Sequence, residues 1–158
     1  MDDNNYKLMR DVNVGDYVLD HTFRPTLVTA KSEIQHNDCY KVYFNDGEVI
    51  TAGDNHTWWA NVLTVYDVDY NNLQMYNTET LYYILQDSRN MVFNIDGKRI
   101  VGVEKTENVP LQCIEVDNYY HTYLCGENKT ATHNSYLSAP YMMARTILIP
   151  NHHTYIMC

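Results

Sequence analysis

The residues with the most evident chemistry are His133, Asn134 and Ser135, near the end of the sequence. The side-chain amide of Asn134 can attack its own backbone carbonyl, which closes a succinimide and cleaves the peptide bond to Ser135. His133 is placed to donate a hydrogen bond to that carbonyl or a proton to the leaving amine, and the Ser135 hydroxyl can carry an acyl group as an ester. Asparagine before a small hydroxyl residue is also common in turns, so a simple turn is the alternative interpretation.

The composition excludes several classes of protein. A net charge of −9 without a basic cluster argues against a sequence-independent grip on nucleic acid by this chain alone. The four cysteines form no CxxC pair, so we expect neither a structural zinc site nor a disulfide framework, and a reducing cytoplasm is the simplest compartment. The polar N-terminus predicts no signal peptide, and no apolar run approaches the ~20 residues of a membrane span. No cofactor is predicted.

The elements that must position these residues are mostly strands. Short runs rich in tyrosine and β-branched residues alternate with turn residues, which predicts a compact, mainly β domain. We predict an extended segment at 12–19 with a turn at Gly15 and Asp16. Further strands are predicted at 26–34, 39–44, 48–52, 56–62, 91–95, 99–104, 109–116, 121–125 and 130–133. Polar residues predict a loop at 64–76. A helix is predicted at 78–86, with Thr78 as its cap and Leu81, Ile84 and Leu85 on one face.

The pattern changes after Ser135. Residues 136–148 are helix-like, with Pro140 in the first turn, where proline is tolerated, and a strand is predicted from residue 153. A helix followed by a strand is typical of α/β structure and does not continue the β domain. The predicted boundary therefore coincides with the Asn134–Ser135 bond that succinimide formation would cleave.

Four sequence features occur in one order: Gly15 to Val18, a strand at 47–56 that ends in His56, the segment 109–117 followed by His121, and the strand 130–133. Together with the residues at 133–135 they resemble an intein across residues 10–134. The resemblance implies a horseshoe-like Hint fold, mainly β, with a short α/β tail.

The resemblance also implies roles for single residues. His56 would activate the upstream scissile amide, with Asp54 beside it, and His133 and His121 would assist the cyclisation of Asn134. Asp117 matches an acidic position of the family, although a turn residue is the alternative.

One intein class uses an internal cysteine as its first nucleophile. Its accompanying tryptophan and threonine positions are matched here by Trp58 and Thr132, and the cysteine position by Cys113. By resemblance, Cys113 would attack the upstream junction. The alternatives stay open: Cys113 can be a small buried core residue, Trp58 a core residue and Thr132 an ordinary strand residue. Related inteins keep this cysteine while using a nucleophile at their N-terminus.

The sequence departs from the family in two places. Gly53 stands three residues before His56, where threonine is usual, and the N-terminal nucleophile and its strand are absent. The resemblance then implies a split intein whose partner is a short N-intein fragment fused to the N-extein, although a truncated sequence would look the same. The other histidines, His21, His36, His152 and His153, are expected to be ordinary surface or strand residues.

Residues 135–158 resemble the segment that follows the Gly-Lys of a Walker A motif in a phage terminase large subunit. Ser135 would then accept the acyl group during splicing and bind the Mg²⁺ of Mg-ATP in the spliced product. We therefore predict an intein C-fragment at 1–134 and a C-extein at 135–158. The predicted function is autocatalytic, single-turnover trans-splicing in a phage-infected bacterial cytoplasm. The alternative is a terminase P-loop ATPase fragment that carries an inert or cleavage-only insertion.

Overall fold

A computed structural model describes residues 7–64, 67–87, 91–95 and 97–133 of the 158-residue chain. Asn134, Ser135 and the predicted helix and strand of the tail lie outside the described residues. Among the described residues, no helix has the length and apolar character needed to cross a membrane.

The described residues form eleven strands, one α-helix and a short 3-10 helix at Met9–Asp11. The strands are β1 (Tyr17–Leu19), β2 (Pro25–Lys31), β3 (Cys39–Phe44), β4 (Val49–Gly53), β5 (Thr57–Thr64), β6 (Asp67–Asn77), β7 (Met91–Ile95), β8 (Lys98–Thr106), β9 (Ile114–Val116), β10 (Thr122–Cys125) and β11 (Thr130–His133), and the helix is α1 (Thr78–Asp87). The prediction of a mainly β fold is confirmed.

The strands form two antiparallel sheets. The small sheet has the order β1-β2-β9, and the large sheet has the order β10-β11-β5-β7-β8-β3-β4, with β6 also pairing with β5. The strand β5 therefore lies at the junction of the two halves of the large sheet. Its N-terminal end meets β11 through the pair His133 and Thr57.

Successive side chains on β5 point to opposite faces of the sheet, as on any strand. Trp58 and Ala60 are fully buried in the main core, which also contains Tyr40 and Phe93. Trp59 lies on the opposite face. Each of the two adjacent tryptophans therefore serves a different side of the sheet.

The predicted helix is confirmed, but its cap is not the residue expected. The Asn77 side-chain oxygen accepts the backbone N–H of Thr80 at 2.7 Å, so Asn77 caps the first turn. Thr78 instead uses its hydroxyl within the core. Leu81 is fully buried, and Ile84 and Leu85 pack against the same core, as the sequence predicted.

Three predictions of local structure were wrong or too long. Residues 67–77 form β6 instead of a loop, because pairing with β5 overrides the weak intrinsic strand preference of that segment. In the predicted strand 109–116, only Ile114–Val116 joins a sheet and Leu111 makes an isolated bridge, since Pro110 has no N–H to donate. In the predicted segment 12–19, the predicted turn at Gly15 is present, with a φ of +95°, but only Tyr17–Leu19 forms a strand.

Candidate functional site

His56 and Thr132 form a buried pair. His56 follows the turn after β4, and its Nε2 lies 2.6 Å from the Oγ1 of Thr132 on β11. The two residues are 1% and 2% exposed. Because a threonine hydroxyl both donates and accepts, this contact can fix the orientation of the imidazole in either tautomer. Two residues that lie far apart in the sequence, and that the resemblance assigned to one junction, are therefore in direct contact.

Trp58 and Thr78 support this pair from the core side. The Trp58 ring packs edge-on against the His56 ring, with 4.5 Å between their centroids. Its indole N–H donates to the Thr78 hydroxyl at 3.0 Å, and that hydroxyl donates to the His56 carbonyl oxygen at 3.1 Å. The backbone N–H of Thr78 also donates to the same carbonyl at 2.9 Å. The start of α1 therefore anchors the backbone of His56, and Trp58 is both a core residue and a neighbour of the site.

His133 lies on the other face of β11. Its ring packs against Trp59 at a centroid distance of 5.5 Å, and the His121 ring lies 6.5 Å away at a steep angle. His133 is 5% exposed, and the residue that follows it is Asn134. The structure therefore brings together the two histidines that the resemblance assigned to Asn134 cyclisation.

A cavity of about 740 Å³ opens beside this second group. The residues that line it include His121, His133, Trp59, Asn61, Tyr119 and Tyr120. Aromatic and polar groups that converge on one cavity are typical of a binding or reaction site.

The turn before β10 gives His121 an unusual backbone. The φ of His121 is +50°, which is uncommon for a residue other than glycine. The Asn118 side chain accepts the N–H of Thr122 at 3.1 Å and donates to the Thr122 carbonyl at 2.8 Å. Its amide also donates to the Thr26 hydroxyl at 3.2 Å, which ties the turn to β2. A strained residue held by several contacts is a frequent feature of functional sites.

Cys113 is completely buried in an apolar cluster with Ala30, Cys39 and Leu111. Its backbone N–H donates to the Ser32 hydroxyl at 2.9 Å, and its carbonyl accepts the N–H of Ser32 at 2.9 Å. These backbone bonds fix Cys113 just before β9. A thiolate must reach its target carbonyl to attack it. In this arrangement the Cys113 side chain packs as a core residue, so attack would require the cluster to open.

The two supporting carboxylates occupy different environments. Asp54 shapes the turn that leads to His56: its carboxylate accepts the Asn55 N–H at 2.8 Å, and its carbonyl accepts the N–H of Glu79 at 3.2 Å. Asp117 is exposed at the end of β9, where its backbone N–H donates to the Leu27 carbonyl at 2.9 Å. Both residues therefore have a structural role in a turn.

Sequence reasoning missed three residues of this site: Thr78, Trp59 and His21. His21 was expected to be an ordinary surface or strand histidine. Instead it is half-buried, lines the cavity and contacts Thr122. The alternation of β5 is a signal that could have placed Trp59 opposite Trp58. Within the described residues, no group of three or more histidine, cysteine or carboxylate side chains is arranged to bind a metal.

Comparison with known proteins places this fold in one class. No family model matches the chain. A solved structure of the Msm DnaB1 intein splicing domain bound with zinc is 31% identical, covers 81% of this chain and 89% of its own, and has a TM-score of 0.65. A structure of the MchDnaB-1 intein is 30% identical over 81% of this chain and 89% of its own, also with a TM-score of 0.65. The gp41-1 intein, at 21% identity, 81% and 87% coverage and a TM-score of 0.59, shares the fold.

A curated relative, the replicative DNA helicase DnaB of Mycobacterium leprae (strain TN), is 32% identical over 146 residues. The match covers 88% of this chain, which spans about a quarter (24%) of the length of that relative. The fold is that of a self-splicing domain of the Hint type. The chain belongs to the intein family, and its activity is protein splicing.

Proposed function

We propose that this chain splices in trans: it associates with a short N-intein fragment, excises itself and joins two extein halves. The observation that carries the proposal is the arrangement about β11. Thr132 contacts His56 on one face, whereas His133 lies with Trp59 and His121 on the other, directly before Asn134. The strand β11 thus contacts His56, proposed for the upstream junction, on one face. On the other face it carries His133 beside His121, both proposed for the downstream junction.

The first step is an N-to-S acyl shift at the upstream junction. A thiolate attacks the carbonyl carbon of the last N-extein residue, a C–S bond forms, and the C–N bond breaks. The leaving nitrogen takes up a proton and becomes an amine. His56 is oriented by Thr132 and Trp58 to polarise that carbonyl or to deliver the proton. The thiolate comes from Cys113 or from the first residue of the partner fragment.

The second step transfers the acyl group to Ser135. Its hydroxyl oxygen attacks the thioester, the thiolate leaves, and the hydroxyl proton goes to a base. In the third step the Asn134 amide nitrogen attacks the Asn134 carbonyl carbon, which breaks the bond to Ser135. His133 and His121 are proposed to protonate the leaving amine. That amine then attacks the ester, and an O-to-N shift leaves a peptide bond. Each chain reacts once.

Two features support docking of a partner strand. In the described residues, β1 pairs along one edge only, with β2, and it carries the exposed Tyr17 (69%). An unpaired strand edge offers N–H and C=O groups to a further strand. The cavity lined by His121 and His133 has room for a peptide segment. The N-intein fragment is therefore proposed to bind by strand addition.

The direct test is Asn134→Ala, with Asn151→Ala as a matched control in the tail. In the full chain alone, we expect release of the fragment 135–158, measured by mass spectrometry, to stop in the first variant and to continue in the second. With the N-fragment present, ligated product should be lost in the same way. Ligated product that formed from Asn134→Ala at the normal rate would exclude splicing. Absence of both ligated product and released fragment from the wild-type chain would favour an ATPase fragment that carries an inert insertion.

The nucleophile has its own test. We expect an N-fragment that begins with alanine to support splicing only if Cys113 is the internal nucleophile. In that case Cys113→Ala should abolish the reaction, and Cys39→Ala, in the same buried cluster, should preserve it. Absence of splicing with the alanine fragment would assign the first nucleophile to the partner.

For the joined protein we propose a phage terminase large subunit, because residues 135–158 resemble the segment after a Walker A motif. The second candidate is a helicase, since the mycobacterial relative that matches this chain is a replicative DNA helicase. The sequence of the N-extein distinguishes the two. A neighbouring reading frame with terminase sequence that ends in a Walker A Gly-Lys, followed by an intein-like segment, is the expected result.

A further inference from the structure

His21 occupies the turn between β1 and β2, in the small sheet, yet it reaches the hairpin that carries the downstream histidines. Its Nδ1 lies 2.6 Å from the Oγ1 of Thr122, the first residue of β10. Its ring also packs edge-on against Tyr120 at 5.2 Å. The Asp20 carboxylate accepts the N–H groups of Thr22 and Arg24, at 2.7 and 3.0 Å, so the turn that presents His21 is itself well defined.

Thr122 links this contact to the site. It follows His121 in the chain and pairs with His133 across the hairpin. The Asn118 side chain fixes its backbone N–H and carbonyl, and His21 fixes its side chain. Thr122 is therefore held by both its backbone and its side chain. It is the chain neighbour of His121 and the cross-strand partner of His133.

His121 needs such support because its φ is +50°. A non-glycine residue keeps a left-handed conformation only when the surroundings over-determine it. The residues on either side of His121 are Tyr120, packed on the His21 ring, and Thr122, bonded to its Nδ1. His21 therefore contacts both chain neighbours of His121.

We propose that His21 is a positioning residue for the downstream cleavage: it fixes the imidazole of His121 against His133 by holding Tyr120 and Thr122. This inference rests on the proposed role of His121 in Asn134 cyclisation. His21 itself transfers no proton in this scheme. The contact with Thr122 requires only one polar atom at the place of Nδ1, because the threonine hydroxyl both donates and accepts.

That requirement predicts which substitutions are tolerated. Asparagine places its amide group near the position of the histidine Nδ1, whereas leucine fills similar space without a polar atom. His21→Asn should therefore preserve the contact with Thr122, and His21→Leu should remove it. Thr122→Val removes the same bond from the other side with little change in shape. His36→Leu, at an exposed histidine outside the site, is the matched control.

The experiment measures release of 135–158 from the full chain by mass spectrometry, together with the imidazole resonances of His121 by NMR. Thermal unfolding of each variant monitors its fold. We expect His21→Leu and Thr122→Val to slow release by at least about 10-fold and to shift the His121 resonances. His21→Asn should restore most of the rate and the wild-type resonances, and His36→Leu should change neither.

Normal release from His21→Leu and Thr122→Val would overturn the proposal. It would also be overturned if His21→Asn were as slow as His21→Leu, because the polar contact with Thr122 would then not be what holds His121. If the wild-type chain releases no fragment, the proposed function fails. The His121 resonances would still decide whether His21 positions that ring, since they are recorded without any reaction.

Discussion

At the scale of residues, adjacent residues on β5 and β11 point to opposite faces of the sheet and contact different histidines. Trp58 and Thr132 contact His56, whereas Trp59 packs on the residue next to Thr132, which is His133. The sequence identified His56, His121 and His133 through their motifs. It could not identify His21, because its contact with Thr122 joins positions 101 residues apart and leaves no periodic signal.

The Thr132 hydroxyl provides the first prediction. Thr132→Val removes the hydrogen bond to His56 while it preserves the shape of the side chain, so the imidazole loses a fixed orientation. We expect upstream cleavage to slow by up to about 100-fold, measured with the N-fragment by following thioester formation. Thr132→Ser keeps the hydroxyl and should react at a rate close to wild type. Equal rates for the valine and serine variants would show that the contact is dispensable.

Asn61 provides the second prediction. Its side-chain oxygen is buried in the cavity wall, and no hydrogen-bond partner for it is found among the described residues. A buried acceptor without a partner costs about 1–3 kcal/mol, so Asn61→Leu should raise the free energy of unfolding, by about 1 kcal/mol. Asn118→Leu is the contrasting variant, because its amide makes three hydrogen bonds and its loss should lower stability by about 1–3 kcal/mol. Chemical denaturation measures both free energies of unfolding. A less stable Asn61→Leu chain would contradict the interpretation of the Asn61 oxygen as a buried acceptor without a partner.

At the scale of elements, the hairpin β10–β11 is fixed at both ends. Its far turn is bound by Glu48, whose carboxylate accepts the backbone N–H groups of Glu127 and Asn128. Lys98 adds contacts to the Thr130 hydroxyl at 3.0 Å and to Asp46 at 2.7 Å. The turn between β3 and β4 and the start of β8 therefore position the hairpin that carries both downstream histidines.

Gly126 tests this anchoring. A Cβ atom at Gly126 would lie 2.6 Å from the Glu48 carboxylate, and the φ of +75° already disfavours other residues. Gly97 has a similar φ of +83° with nothing within 4 Å of a Cβ, so it isolates the cost of the backbone conformation. Gly97→Ala should lower the free energy of unfolding by about 1–2 kcal/mol. Gly126→Ala should cost about 1–3 kcal/mol more, because the Glu48 carboxylate can move only by giving up the N–H groups of Glu127 and Asn128.

Gly126→Ala should also slow release of 135–158, since it displaces the hairpin. Thermal and chemical unfolding of the two alanine variants give the comparison. Equal destabilisation would indicate that Glu48 can move aside without cost, and that its contacts do not fix the hairpin.

The elements also show where sequence reasoning fails. The strands β3, β7 and β11 were predicted with the bounds that they have in the structure, because alternation and turn residues delimit them locally. The strand β6 was missed, because its residues are polar and only pairing with β5 makes the segment extended. Local patterns predict strands that have their own signal, whereas a strand defined by its partner needs the tertiary structure.

At the scale of the whole molecule, the mainly β fold and the intein family were predictable, since several motifs occur in one order along the chain. The face of the sheet on which each site residue lies was not predictable, because it depends on which strands become neighbours. The pairing of β11 with β5 rests on the single pair His133 and Thr57 in the sheet ladder, and no local pattern specifies it.

The surface ion pairs predict how the whole fold responds to acid. Hydrogen bonds from Lys7, Lys105 and Lys98 hold the pKa values of Asp16, Asp38 and Asp46 below their ordinary range. A carboxyl group whose pKa is lower in the folded state stabilises that state at neutral pH. The contribution disappears as the pH falls through the unfolded and then the folded pKa. Unfolding midpoints should therefore decrease below about pH 4.

The variant Asp38→Asn with Asp46→Asn removes two of these groups. It should be less stable than wild type at pH 7 by a small amount, since the Lys105–Asp38 pair is exposed and the Lys98–Asp46 pair is still partly accessible to solvent. The difference should shrink as the pH falls below about 4 and disappear only below the lowered pKa values of the folded wild-type carboxyl groups. A stability difference that stayed constant between pH 7 and pH 3 would exclude these ion pairs as its cause.

The alternation of β11 imposes a parity rule on the length of the chain before the scissile bond. Inserting one residue between the turn at 126–129 and Thr132 would exchange the two faces and direct the histidine toward the core and the threonine toward the cavity. Inserting two residues would restore the faces. Natural or engineered length variants of this hairpin are therefore expected to differ by even numbers of residues, with the odd members folded but unable to splice.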